Sequence, residues 1–313
     1  MRRTPMFVTF VCLAFCSASF STNVISQDAM FSDPATGQCE LAIAGDSNVG
    51  WDGPYGRGYD VFDEMITYET IQIEVQHSGG PCSFVLTATP VSSGGRAVLA
   101  NGAAQLEYDA LRETNGPSIL SGSLEGTPST RIQGAFGAGD SMAAALLSVY
   151  IPPLQFVESG TFDGQFILRL YREDGASLEL ADERPITIIA SVAARLRIEA
   201  PDFANGSTTT LIDLGELSAG ARKEVDFEVR SNSRVNVALS SANRGALVHE
   251  VAQISIPYQV SGGGQLADLT GTARTRVGSS FAGQAFPLEI DVPPGAYPAG
   301  QYSDVLTVVF TTE

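Results

Sequence analysis

DVLTVVFTTE (Asp304–Glu313) reads as a strand with two different faces. Leu306, Val308 and Phe310 fall on one face, in phase with Tyr302 and Asp304, and Val305, Thr307 and Val309 fall on the other. Alternation with period 2 marks a strand that is buried on one side. An earlier stretch reads the same way. GTFDGQFILRLY (Gly160–Tyr171) parallels GQYSDVLTVVF (Gly300–Phe310), and each follows an apolar residue and two prolines, Ile151-Pro152-Pro153 and Val292-Pro293-Pro294. The earlier copy turns Phe162, Gly164, Phe166, Leu168 and Leu170 inward and then continues into a second apolar run, PITIIASV (Pro185–Val192). The later copy is followed by no such run. The second copy is therefore expected to lack its closing strand and to take one from another molecule.

Working outward, other pieces repeat in the same order. IQIEVQ (Ile71–Gln76) matches VDFEVR (Val225–Arg230), CSFVLTATP (Cys82–Pro90) matches RVNVALSSA (Arg234–Ala242), and AAQLEYDAL (Ala103–Leu111) matches VAQISIPYQV (Val251–Val260). Any two alternating strands look alike, but four matches in one order point to a tandem duplication. Only Ser141–Val149 has helix-favouring composition, and it is short. Short alternating runs punctuated by glycine, asparagine and proline fill the rest, which is the pattern of an antiparallel sandwich. The expected fold is all-β: two tandem Ig-like antiparallel β-sandwiches, residues 27–193 and 194–313, the second incomplete.

The first 26 residues read as a secretory leader. Arg2 and Arg3 make a positive start, Met6 to Phe20 an apolar stretch too short to span a bilayer, and small residues follow. Removing the leader removes Cys12 and Cys16 and leaves Cys39 and Cys82, an even pair that in an exported protein predicts one disulfide. The formal charge of −17 opposes contact with nucleic acid or anionic lipid and favours solubility.

The unfinished sandwich sets an energy scale. A vacant strand position is expected to leave Leu306, Val308 and Phe310 open to water, together with Leu196 and Ile198 from ARLRIEAPDF (Ala194–Phe203). Leaving three or four large side chains uncovered costs about 5–10 kcal/mol. Whole domains are stable by only about 5–15 kcal/mol. Such a unit also presents unpaired backbone, the ordinary invitation to strand addition.

Catalytic signals are thin. GDSN (Gly45–Asn48) and GDSM (Gly139–Met142) resemble the nucleophile block of some esterases, but that chemistry needs a positioned histidine base, and the chain has only His77 and His249. Asp46, Asn48 and Asp52 sit like part of a calcium loop, yet the position of the bidentate glutamate is Arg57. Two cysteines and two distant histidines make no zinc site. No enzyme activity, metal or cofactor is expected. Trp51, Tyr55, Tyr59 and Phe62 read as a core plug beneath a long loop, with a binding anchor as the alternative. His77–Pro81, Arg112–Ser129 and Arg172–Arg184 are the loops expected farthest from the second domain, and Ile119, Leu120, Leu178 and Leu180 are their candidate surface-binding residues.

SSANRGALVHE…ISIPYQVSGGG (Ser240–Gly264) followed by PAGQYSDVLTVVF (Pro298–Phe310) resembles the spore coat protein U domain, the pilin domain of archaic chaperone–usher pili. The G-x-Y-x-D pattern is Gly300, Tyr302 and Asp304; the first domain keeps Gly160 and Phe162 but has Gly164 in place of the aspartate. Cys82 approximates the family's second cysteine position, and the second domain has no cysteine, unlike the disulfide-bearing shaft pilins. The resemblance implies an incomplete Ig-like fold held by a periplasmic pilus chaperone, polymerised at an outer-membrane usher, and completed by a strand from the next pilin subunit. The start of the mature chain, QDAMFSDPATGQ (Gln27–Gln38), has no alternating apolar run and contains Pro34 and Gly37. It is therefore expected to accept a strand and not to donate one. A two-domain tip subunit on a cell-surface pilus, binding an unknown surface target, is the leading expectation, and a structural pilin or coat subunit without a receptor is the alternative.

Overall fold

The computed structural model describes residues 5–10, 37–92, 95–120, 130–175, 177–204 and 206–313, the first of these as backbone. Residues 1–4 and 11–26 of the expected leader, and 121–129 of the expected Arg112–Ser129 loop, lie outside the described residues. The chain divides into two compact units that meet at Ala193 and Ala194, and the strand β1 (Pro5–Phe10) counts with the C-terminal one.

In the N-terminal unit, β2 (Glu40–Ala44), β4 (Tyr68–Ser78), β10 (Met142–Tyr150) and β8 (Asp109–Leu111) form one sheet in the order β2-β4-β10-β8. A second sheet runs β3-β12-β11-β5-β9, from β3 (Asn48–Trp51), β12 (Ser177–Val192), β11 (Gly160–Asp174), β5 (Cys82–Pro90) and β9 (Ile132–Phe136). One apolar core lies between them. Phe162, Phe166, Leu168 and Leu170 are fully buried on β11, as alternation requires. Gly164 breaks the series because a short hairpin, β6 (Val98–Asn101) and β7 (Ala104–Glu107), crosses there: a Cβ on Gly164 would stand 2.6 Å from the Val98 carbonyl oxygen. The same crossing excludes an aspartate at that position.

Cys39 and Cys82 are joined by a disulfide, which ties the start of β2 to the start of β5 and so staples the two sheets together. Farther along, Asp182 accepts from Ile43 N–H at 2.7 Å, and Arg184 donates to the Ile43 and Gly45 carbonyls. Side chains of β12 thereby satisfy backbone groups of β2 at the flank of the sandwich.

The C-terminal unit repeats this plan. One sheet runs β13-β15-β22-β19-β20, from β13 (Leu196–Glu199), β15 (Ala221–Ser231), β22 (Ser280–Val292), β19 (Gln259–Gly262) and β20 (Gln265–Leu266). The other runs β14-β1-β24-β16-β21, from β14 (Thr209–Asp213), β24 (Val305–Thr312), β16 (Val235–Ser241) and β21 (Ala273–Val277). A small third sheet, β17 (Ala246–His249), β18 (Ser255–Pro257) and β23 (Tyr302–Ser303), precedes β24 in space as in sequence. The paired segments of the sequence take matching places: β4 and β15 are second in one sheet, and β5 and β16 flank β11 and β24 in the other.

The helix-favouring composition of Ser141–Val149 makes no helix: Met142–Tyr150 is β10, paired along its length with β4, in keeping with the all-β expectation. One expectation fails at the level of elements. Arg172–Arg184 is not a loop: β11 runs to Asp174 and β12 starts at Ser177, with only the turn between them.

Candidate strand-acceptor site

The position expected to be vacant lies between β14 and β24, and in this structure β1 occupies it. β1 is antiparallel to β14, from Pro5↔Asp213 to Thr9↔Thr209, and parallel to β24, from Phe7↔Val305 to Phe10↔Val308. In the N-terminal unit β12 holds the corresponding place between β3 and β11, but in the opposite sense. It is antiparallel to β11, from Gly160↔Val192 to Asp174↔Ser177, and parallel to β3. The expectation of a groove open to water is thus corrected. Leu306, Val308 and Phe310 are fully buried, and the slot beside them is closed by a segment from the far end of the same chain. Phe310 packs on Phe227 at 5.4 Å and on Phe286 at 5.6 Å between ring centroids, so the β24 face is continuous with the core. Ile212 is the buried residue of β14.

Leu196 and Ile198 do not border the slot. They lie on β13, paired to Ser231 and Val229 of β15, and pack half-buried onto the core from the facing sheet. Alternation identified the strand but not its sheet. Past Thr209, the last residue of β14 paired to β1, a pocket of about 560 Å³ opens. Ile198, Ala200, Pro201, Phe203, Ala204 and Thr208 line it.

The G-x-Y-x-D segment builds the other end of the slot. Asp304 is buried at 2% exposure. Its carboxylate accepts from Ser241 Oγ at 2.5 Å, from Tyr258 Oη at 2.6 Å and from Asn243 N–H at 2.9 Å. These donors offset the loss of water. Burial first, then the hydrogen bond to Asp304, pushes the Tyr258 phenol well above its ordinary range. Tyr302 is buried and donates to the Pro298 carbonyl at 3.0 Å. His249 meets Tyr302 edge-on at 4.9 Å and lies so close to Gly300 that a Cβ there would fall 2.0 Å from Nε2. Each residue of the pattern therefore has a packing reason, and together they fix where β24 begins.

The remaining predicted residues disperse. Ile119 and Leu120 are not surface residues: they are 1% and 8% exposed and belong to the N-terminal core, because the chain after β8 folds back through Leu111↔Ser118 and the Ile119 N–H to Ala110 carbonyl bond. Leu178 is half-buried and Leu180 is 51% exposed on β12. Trp51, Tyr59 and Phe62 are core, with Trp51 against Tyr59 at 6.0 Å, while Tyr55 is 81% exposed. Burial pushes the Tyr59 phenol up to about 12. His77 is buried beside the disulfide, so Cys39, His77 and Cys82 do converge, although the two sulfurs are bonded to each other. The His77 ring lies flat on Phe136, with Nδ1 2.6 Å from the Asp140 carbonyl and Nε2 2.8 Å from the Gly80 carbonyl. Both ring nitrogens therefore face backbone carbonyls. His249 Nδ1 accepts from the Val251 and Ala252 N–H groups.

No family model and no curated protein matches the chain. Solved structures with a similar arrangement include the CsuC–CsuE chaperone–tip adhesion subunit pre-assembly complex from archaic chaperone-usher Csu pili of Acinetobacter baumannii, at 12% identity over 87% of this chain and 99% of that chain, TM-score 0.42. The CupB6 tip adhesin from Pseudomonas aeruginosa matches at 10% identity over 88% of this chain and 99% of that chain, TM-score 0.39. CfaE, the adhesive subunit of CFA/I fimbria of enterotoxigenic Escherichia coli, is similar at 11% identity over 88% of this chain and 87% of that chain, TM-score 0.30.

Proposed function

We propose that this chain is a secreted, non-enzymatic subunit of a chaperone–usher pilus, of the spore coat protein U type, made of a leader (1–26), an N-terminal adhesive unit (27–193) and a C-terminal pilin-like unit (194–313). The C-terminal unit takes a β-strand from another polypeptide, first a periplasmic chaperone and then the next subunit at an outer-membrane usher. The observation that carries this reading is the slot between β14 and β24. The unit's own residues 194–313 leave that position to β1, a segment whose sequence reads as a removable leader. In this reading β1 stands in for the partner's strand. Once the leader is removed, the backbone groups of β14 and β24 that it engages are again unpaired and the buried face of β24 is again uncovered.

A strand suited to the slot alternates apolar and polar residues, because its neighbours do so in the registers opposite Leu306 and Val308. The test uses residues 27–313, with and without an alternating donor strand appended after Glu313 through a short flexible linker. The appended strand should raise the melting temperature of the C-terminal unit by on the order of 10 °C. No rise would refute strand acceptance. Position in the fibre is read separately. Immunolabelling at fibre ends fits a tip adhesin, and labelling along the shaft fits a structural pilin.

A further inference from the structure

We propose that Cys39, His77 and Cys82, in the reduced chain before their sulfurs are joined, form a binding site for a thiophilic cation of the zinc class, held by two thiolates and one imidazole nitrogen. The inference concerns the N-terminal unit alone and does not rest on the strand-acceptor reading.

The fold assembles the three ligands. One ligand atom from each residue lies within 4.8 Å of the other two. His77 is near the end of β4, Cys39 precedes β2 where Leu41 pairs with His77, and Cys82 opens β5 on the facing sheet. HSGGPC (His77–Cys82) carries two of the ligands on one turn, with a spacing ordinary for zinc ligands. That turn is pressed against the segment before β2. A Cβ on Gly79 would stand 2.0 Å from the Gln38 carbonyl oxygen, and one on Gly80 2.6 Å from that of Gly37. The close contact sets Cys39 beside the turn. Around a tetrahedral zinc ion two thiolates stand about 3.8 Å apart. The Cys39 and Cys82 Cα atoms are 6.2 Å apart, so the freed sulfurs reach that separation by side-chain rotation.

His77 adds an independent observation. It is 5% exposed, and Phe136 lies flat against its ring at 4.5 Å. Nδ1 faces the Asp140 carbonyl and Nε2 the Gly80 carbonyl, and both of these groups are acceptors. A neutral imidazole has one N–H and can donate to only one of them. The lone pair on its other nitrogen is then buried without a donor, a condition that a bound cation relieves. The N–H to carbonyl bond on the opposite side of the ring is the support that commonly orients a histidine ligand. Gly80 lies between β4 and β5 and Asp140 between β9 and β10, so either carbonyl can yield its place to the ion. Cys82 is half-buried, which leaves the cluster a path to solvent.

The test uses the untagged full-length chain with Cys12→Ser and Cys16→Ser, so that Cys39 and Cys82 are its only cysteines. Zinc is titrated against a chromophoric chelator into the phosphine-reduced chain, the oxidised chain and the reduced His77→Gln chain. The reduced chain should take one zinc per molecule. The oxidised chain should bind at least about a hundredfold more weakly, and His77→Gln at least about tenfold more weakly. X-ray absorption of the zinc-loaded reduced chain needs no variant at His77 and should show two sulfurs and one imidazole around the ion. No zinc bound by the reduced chain, equal binding by the oxidised chain, an unaltered affinity in His77→Gln, or a shell without imidazole overturns the site.

Discussion

The sheet β3-β12-β11-β5-β9 of the N-terminal unit and the sheet β14-β1-β24-β16-β21 of the C-terminal unit are the same arrangement closed in two ways. In the first, the filler β12 follows β11 across a tight turn, runs antiparallel to it, and pairs over the whole of a 15-residue strand. In the second, the filler comes from the other end of the chain, runs parallel, and pairs with β24 only through Val305–Val308. Parallel ladders are slightly weaker per residue than antiparallel ones. Loop-closure entropy also favours the neighbouring strand over the distant one. The fold therefore fixes the place of a strand more firmly than its source or direction.

The largest expected effect breaks this contrast directly. Deleting residues 1–26 should leave the N-terminal unit unchanged and destabilise the C-terminal unit by about 5–10 kcal/mol, the energy of an uncovered slot. Two-transition calorimetry should show one melting step kept and the other lowered or lost. Equal stability of both units after deletion would remove the distinction between them.

The second effect falls on the other side. Converting Cys39 and Cys82 to serine should cost the N-terminal unit about 4 kcal/mol for the loop released and leave the C-terminal step in place. Denaturant unfolding of each unit, followed by hydrogen exchange, separates the two.

A third sharpens the corner that starts β24. Asp304→Ala leaves Ser241, Tyr258 and the Asn243 N–H without their buried acceptor and should cost about 2–4 kcal/mol, while Asp304→Asn should cost less. At the corresponding position of β11, Gly164, no such carboxylate exists, and the N-terminal unit should not respond.

The smallest is a pH effect. Tyr258 is held protonated by burial and by Asp304, so its folded pKa lies above the unfolded value of about 10. A group raised in this way contributes stability that is fully present below pH about 10 and is lost as pH rises through its folded value. Alkaline melts should show the C-terminal step falling above that pH, and Tyr258→Phe should flatten the fall at the cost of about 1 kcal/mol at neutral pH. An unchanged slope in the variant would assign the alkaline loss elsewhere.

Much of this was legible in the sequence because it depends on local period. Alternation at Ile71–Gln76, Val225–Arg230 and Val305–Phe310 gave strands with their inward faces, and the order of the repeats gave the matched plan. What was not legible depends on partners far away in the chain. Ser141–Val149 has helix-favouring composition, and its pairing to β4 is what makes it a strand. Ile119 and Leu120 read as loop residues until Ser118 bridges back to Leu111. Leu196 and Ile198 show a strand's alternation, but only pairing to β15 says which sheet they join. The run Met6–Phe10 reads as part of a leader by length and flanks, and nothing in its composition names a slot as its seat.

The staple between Cys39 and Cys82 sits wholly in the N-terminal unit, and residues 194–313 contain no cysteine. A reductant would therefore slacken one half of the polypeptide and leave the stability of the other half as it was.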